Sequence, residues 1–422
     1  MKVIHINTYA GNGGAGRACL RLNKALTDQG IDSHMWVNFS FKENKQVSNF
    51  STRFFRKWIT AAGIILEGLV SKYFTQALRI PFSIPIWGRD ISNHPILKQA
   101  DIIHIHWINH AFLRPRDLSK LAKLNKPIVW TFHDCNACTG GCHYTMSCTH
   151  YQHECGNCPV LKTSHAQDWS HRIWQAKYRA YQELPFQIVT PSKWMADFVK
   201  SSKLLSSRDV QVIPNTLDTS IFKPSAKQDA RKSLGIAPDK FILMSGSMPS
   251  RQDLYKGASY LLEAIPLFVK HHVVDLAQIE LLIFGNRAEE SGSVFGVKTT
   301  FLGTISDDTK LALCYSAADV FLVPSVEDNL PNTVMESLAC GTPVVAFTTG
   351  GIPDMVTHQY NGYLAQYKSS IDLAEGINWI YKHPEKELLH QQARKTVEDH
   401  FSEKMIAQKH IELYQRLFQE YA

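Results

Sequence analysis

Residues 324–348 read PSVEDNLPNTVMESLACGTPVVAFT and carry two carboxylates eight positions apart, Asp328 and Glu336. Asp328 falls in a loop. Pro331 suits the first turn of a helix and Gly341 its exit, so Glu336 is expected on a short helix. Two acids placed in this way can grip two parts of one extended ligand. The plain alternative is a helix-terminal charge beside an ordinary surface glutamate. Upstream, Arg251 and Lys256 precede the helical pattern Ala258–Val269. A guanidinium and an ammonium near a helix start suit a diphosphate, although two solvated loop cations would look the same.

A second set of polar residues lies in the first half. Gly11-Asn-Gly-Gly-Ala-Gly16 follows a strand and precedes the helical run Arg17–Gln29. Formally it matches G-x-G-x-x-G, but a dinucleotide site also wants a carboxylate at the end of the next strand. That strand, His34–Asn38, ends without one, and Asp32 lies before it. A nicotinamide oxidoreductase is therefore disfavoured, and the glycines read as a loop beside a binding cleft. His106 and Trp107 end one expected strand, and His133 and Asp134 end another. An imidazole there can bond a sugar hydroxyl or handle a proton near neutral pH. Trp107 suits either stacking on a sugar face or packing.

Six of the nine cysteines fall within Cys135–Cys158. Thiolates so close in sequence can close a tetrahedral zinc site, with His143, His150 and His153 as substitute ligands. Spacing alone leaves the choice of four open. A set of four thiolates would be structural, since it leaves no open position on the metal.

The elements that must position these residues alternate. Val3–Ile6, Ile102–His106, Ile128–Phe132 and Gln187–Thr190 read as buried strands of one half. Phe241–Met244, Glu280–Phe284, Val320–Val323 and Val344–Phe347 read as those of another. Strands alternating with helical patterns imply α/β domains with parallel sheets, whose sites lie beyond the carboxyl ends of the strands. The 422 residues, 44% apolar and 20% charged, suffice for two domains. The prolines and turn formers of Ile213–Pro224 mark a hinge. The expected division is 1–213, with a cysteine-rich insert at 135–158, then 214–400, then a terminal helix 401–422.

A net charge of +7 suits a phosphorylated substrate or an anionic membrane face, and is too diffuse for nucleic acid. No export signal and no run long enough to span a membrane is visible, which points to the cytoplasm. Trp58–Leu66 follows Arg53, Phe54, Phe55, Arg56 and Lys57. That pattern fits either a core-facing amphipathic helix or a helix lying on an anionic membrane.

Together these residues resemble the retaining glycosyltransferases of family four, of GT-B fold. The motifs are Gly13-Gly-Ala-Gly16, Thr131-Phe-His-Asp134, Pro191-Ser192, Ile213-Pro-Asn215 with Phe222, Lys256-Gly257 and Pro324–Ala346. The quartet Cys142, Cys148, Cys155 and Cys158 resembles a subgroup of colanic-acid type, which builds exported polysaccharides. Cys135 and Cys138 are extra to it. The resemblance implies two Rossmann-like domains facing a cleft, with the last helix crossing back to the first. The donor, a nucleotide-sugar, would meet Arg251, Lys256, Gly285, Asn329, Leu330, Pro331, Asn332 and Glu336. Lys256 would neutralise the departing diphosphate, Glu336 would hold the ribose, and Asp328 and His133 would face the donor sugar. Gly13, Gly14, Gly16, His106 and Trp107 would lie on the side of a saccharide or lipid-linked saccharide acceptor. No catalytic metal is expected. The sequence departs from the family in two places: its first acid is Asp328, where the family has a glutamate, and the loop before Arg251 is longer than usual. The alternatives are a two-carboxylate glycoside hydrolase and a non-catalytic, zinc-stabilised nucleotide-binding protein.

Overall fold

A computed structural model describes residues 1–11, 13–40, 47–50, 54–76, 80–246, 254–285, 292–294 and 296–421. Arg251 and Asn12 lie outside them. The chain divides into two compact units, Met1–Thr216 with Glu403–Ala422, and Leu217–Ser402.

The first unit is built on seven strands. They are β1 (Lys2–Tyr9), β2 (Asp32–Phe39), β3 (Val47–Asn49), β4 (Ile102–Ile105), β5 (Ile128–Thr131), β6 (Gln187–Thr190) and β7 (Val210–Val212). Their order is β3-β2-β1-β4-β5-β6-β7 and every pair is parallel. β4 and β5 are buried throughout, as expected of central strands covered on both faces. The order reverses between β1 and β4, and such a switch point opens a crevice at the strand ends. The tail helix Glu403–Tyr421 belongs to this unit. Its Ile406, Ala407, Ile411, Tyr414 and Leu417 pack with Val3, Leu22, Leu26 and Ile102. The Tyr414 hydroxyl also meets His104 Nδ1 at 2.6 Å.

The second unit carries β8 (Phe241–Gly246), β9 (Ile279–Phe284), β10 (Gly292–Val294), β11 (Val297–Gly303), β12 (Val320–Val323), β13 (Val344–Phe347) and β14 (Gly362–Ala365). The order is β10-β11-β9-β8-β12-β13-β14, parallel except for β10 against β11. Its switch point lies between β8 and β12.

Two local expectations are corrected. Gly13, Gly14 and Gly16 do not form a loop: the helix begins at Gly13 and runs to Asp28. Gly16 lets that helix start close on β1, because a Cβ there would stand 3.2 Å from the Tyr9 carbonyl oxygen. The helix containing Trp58–Leu66 runs Phe54–Phe74, and it is not simply core-facing. Trp58, Ile65, Leu69 and Tyr73 are 63%, 62%, 61% and 71% exposed, and Ile59 and Leu66 are exposed beside them. Its one acid, Glu67, is turned inward and buried.

Candidate functional site

In the second unit the chain leaves β8 and returns through the turn Leu254–Lys256, while β12 leads into 324–331. Backbone bonds lace these two segments. The Val326 and Glu327 amides donate to the Tyr255 carbonyl at 2.8 and 3.4 Å. Gly257, at φ 67°, begins the helix Ala258–His271, and a Cβ there would overlap the Pro324 carbonyl oxygen. The lacing brings together Lys256 and Asp328, whose Nζ and Oδ2 are 3.1 Å apart. The lysine side chain is 42% exposed and that of Asp328 is 14% exposed. On its other side Asp328 is held by backbone: its carbonyl accepts from the Gly351 amide at 3.1 Å.

Glu336 lies on the helix Asn332–Ala339, as expected, and is 1% exposed. The Tyr315 hydroxyl donates to its Oε2 at 3.2 Å. Pro331 stands one residue earlier than expected, at the N-cap rather than inside the first turn, and offers no side-chain cap. Leu330 packs into the apolar core, so its backbone is what it can present to a ligand. Asn329 is buried beside it. Gly285 ends β9 at φ 102° and donates its N–H to the Gly303 carbonyl.

In the first unit the strand ends hold a chain of imidazoles. His133 Nε2 meets His106 Nδ1 at 3.0 Å, and His106 Nε2 meets His5 Nδ1 at 3.0 Å. His5 Nε2 meets Ser33 Oγ at 3.1 Å, and Ser33 Oγ donates to Asn23 Oδ1 at 2.9 Å. Burial, followed by the neighbouring histidines, holds His106 well below its ordinary range. Burial lowers His133 to about 4, against the pull of Asp134. The rings are therefore neutral at pH 7, each with one N–H. With Ser33 donating to Asn23, His5 donates to Ser33, His106 to His5, and His133 to His106. That direction leaves the His133 Nδ1 lone pair as an acceptor for a hydroxyl. His106 spends both ring nitrogens in the chain, so it acts on His133 rather than on a ligand directly.

Trp107 is pinned rather than free to swing. Its Nε1 donates to Asp134 Oδ2 at 2.7 Å and its backbone N–H donates to Asn7 Oδ1 at 2.8 Å. Burial pushes the Asp134 carboxyl up, but the His143 charge and the bonds from His143, Asn136 and Trp107 outweigh it and hold the group low. His133, Asp134, Trp107, Asn109 and Arg114 line one cavity of this unit. Asn109 closes the polar strand tip that begins at His104, whereas Arg114 carried no motif and only the fold places it there.

Glu67 is another residue that the motifs missed. It lies beside Tyr9 and His110, and its Oε2 accepts from the Ala111 amide at 2.9 Å. Burial raises its carboxyl from 4.5 to about 7, against the Ala111 and His110 amides and the His143 charge. A folded-state value above the unfolded one contributes stability that is complete below the unfolded pKa and is lost as pH rises through the folded one. Glu67→Gln is therefore expected to stabilise the protein at about pH 8 and to change little at about pH 4. Denaturant melts at the two pH values check this, and an equal shift at both would contradict it.

None of the described cysteines is in a disulfide. Cys142, Cys148, Cys155 and Cys158 line one small cavity, whereas Cys135 and Cys138 belong to the apolar core of the unit.

Residues 12–221 match the model of Glycosyltransferase Family 4, and residues 239–383 that of Glycosyl transferases group 1. An uncharacterized glycosyltransferase of Methanocaldococcus jannaschii is 26% identical over 372 residues, 83% of this chain and 92% of its own. The Escherichia coli protein named "Putative colanic acid biosynthesis glycosyl transferase WcaC" is 24% identical over 353 residues, 82% of this chain and 83% of its own. The crystal structure of Anabaena HepE in complex with UDP and glucose is similar at TM-score 0.61 and 17% identity, over 99% of this chain and 100% of that one. The two parallel-sheet units are those of the GT-B fold expected from the sequence. On these matches the chain is a glycosyltransferase, a Glycosyltransferase Family 4 domain followed by a Glycosyl transferases group 1 domain.

Proposed function

We propose that the protein moves a sugar from a nucleoside-diphosphate donor to a saccharide acceptor with retention of anomeric configuration. The observation that carries this reading is the Lys256–Asp328 pair at the switch point of the second unit, with the helix Asn332–Ala339 starting four residues after Asp328. An ammonium and a helix start suit a diphosphate, and a carboxylate suits sugar hydroxyls. HepE, whose fold the chain shares, was crystallised with UDP and glucose.

In the proposed step the anomeric carbon–oxygen bond to the diphosphate breaks and the acceptor oxygen bonds on the same face. The acceptor proton passes to the departing phosphate oxygen. Lys256 stabilises the charge that develops on that group, and Arg251 is proposed as a second cation there. Asp328 turns from Lys256 toward the donor sugar, and Glu336 holds the ribose. His133 accepts from a sugar hydroxyl, while His106 and His5 hold its tautomer. Leaving-group charge is thus met by side chains and backbone dipoles, so no catalytic metal is invoked. Incubation with a donor panel and a saccharide acceptor, with the product read by NMR, tests this. The reading expects an unchanged anomeric configuration, and activity that survives a chelator. Inversion, or free sugar as the sole product, overturns it.

We further propose that the acceptor is lipid-linked, in exported-polysaccharide synthesis at the cytoplasmic membrane face. No described helix is long and apolar enough to cross a membrane. The outward stripe Trp58, Ile65, Leu69 and Tyr73 instead suits a helix lying in the interface, with aromatic residues near both ends. Its charges are favourable: Lys72 is on the exposed side, Lys162 lies over the Tyr73 ring at 5.5 Å, and the acid Glu67 faces inward. The protein is expected to float with vesicles containing anionic lipid, and Trp58→Ser with Leu69→Ser to abolish this. Flotation unchanged by both substitutions, or a dimer sealed by the stripe in solution, would contradict the proposal.

A further inference from the structure

Residues 132–168 join β5 to the helix Trp169–Glu183 with short 3₁₀ turns, Cys135–Cys138 and His150–Gln152, and no longer helix. Irregular segments of this length are uncommon unless something holds them together. No disulfide does so. What gathers the segment is a group of sulfurs. Cys142, Cys148, Cys155 and Cys158 line one cavity with Thr139, Gly140 and Gly156.

The Gly140 amide donates to Cys155 Sγ at 3.2 Å. The His150 amide lies beside Cys148 and the Val160 amide beside Cys158, while the Leu161 amide donates to the Cys158 carbonyl at 3.2 Å. Both nearby amides lie two residues downstream, so each turn wraps its own sulfur. The turns need left-handed residues and have them: Met146 and Ser147 at φ 47° and 77°, and Cys155, Gly156 and Asn157 at 56°, 87° and 46°. N–H donation stabilises a thiolate, the form that a metal takes. The Cys142 and Cys158 side chains lie beside each other.

His150 lines the same cavity, and its Nδ1 bonds the Gly156 carbonyl at 2.9 Å, but four sulfurs already fill a tetrahedron. Other candidates are held elsewhere. His143 bonds Asp134 and Ser83 through its two nitrogens, at 2.7 and 2.8 Å. Cys135 and Cys138 pack in the apolar core. The surroundings are anchored independently: Asp168, which caps the helix Trp169–Glu183, accepts from the Cys158 amide at 2.8 Å. Lys177 places a buried cation on the Asn136 and Thr139 carbonyls.

We infer that Cys142, Cys148, Cys155 and Cys158 bind one zinc ion as a structural site. Soft thiolates select zinc in a four-sulfur tetrahedron, and a filled tetrahedron has no place for substrate. Among the described residues the metal-capable trio with ligand atoms within 4.8 Å of one another is His5, Cys19 and His106. Those two histidines are spent on a hydrogen bond to each other. The four sulfurs are more widely spread than the about 3.8 Å edges of a zinc–thiolate tetrahedron, so binding must draw them inward and tighten the segment.

The experiment is metal analysis of the full chain purified from zinc-supplied cells, with Cys135→Ser and Cys158→Ser beside it. The site predicts about one zinc per chain in the wild type and in Cys135→Ser, and loss of zinc with a lower Tm in Cys158→Ser. Because Cys158→Ser risks misfolding, a second readout uses the wild type. A mercurial reagent should release the zinc, and only then should alkylation reach the four cysteines, mapped by mass spectrometry. Zinc-free folded wild type, equal loss in both variants, or a Cys142–Cys158 disulfide in the native protein would overturn the assignment.

Discussion

Lys256→Ala is expected to lower kcat/KM for the donor by about a hundredfold to a thousandfold, the range for removing one donor to a developing negative charge. That is about 3–4 kcal/mol of transition-state stabilisation. Stability should move little. The Lys256 side chain is 42% exposed, and a pair exposed in this way contributes about 0–1 kcal/mol. The contrast separates chemistry from folding. A large fall in rate with an unchanged Tm supports the assigned role, whereas a fall in both would mean that the lysine only holds the loop.

Gly350→Ala is expected to act in the opposite order, on the fold first. Gly350 has φ 54°, and a Cβ on it would overlap the Asp328 carbonyl oxygen. The left-handed conformation and the overlap together should cost about 2–5 kcal/mol. The same change should displace Asp328, whose carbonyl is fixed by the neighbouring Gly351 amide. Gly235→Ala is the control: its φ is 67° and its Cβ would meet nothing within 4 Å. It should cost about 1 kcal/mol and leave activity intact. Thermal melts and rates of the two variants decide. Equal destabilisation in both would show that the Asp328 contact is of no consequence.

The strands that were legible in the sequence are the buried central ones, because an apolar β-branched run leaves little choice of structure. Val320–Val323 and Val344–Phe347 are observed at the expected residues. The short edge strands β3, β7 and β10 carry few apolar residues and gave no such pattern. The glycines at 13–16 looked like a loop because glycine is a poor helix former. Packing overrides that preference here, since Gly16 must approach the Tyr9 carbonyl.

The candidate site was legible where one segment holds it. The Asp328–Glu336 spacing is local, so the helix start between them followed from Pro331 and Gly341. The partner of each acid was not local. Lys256 meets Asp328 only because Tyr255 accepts backbone bonds from the following strand's loop. Tyr315 meets Glu336 from another helix. The imidazole chain was hidden for the same reason. His5 and Ser33 sit on two strands and His106 just past the end of a third, and they line up because β1 lies between β2 and β4 with His5 opposite Met35 and His104. The helix Phe54–Phe74 was ambiguous because an apolar stripe has the same period whether it faces a core or a lipid surface.

Lys256, Asp328 and Glu336 are proposed to form the donor site of a sugar-transfer enzyme. The most direct measurement is nucleoside-diphosphate release across a panel of nucleotide-sugars, with acceptor present, for the wild type, Lys256→Ala and Glu336→Ala. Acceptor-dependent release is expected for at least one donor in the wild type, with a fall of about a hundredfold or more in each variant. Full activity in both variants would contradict it.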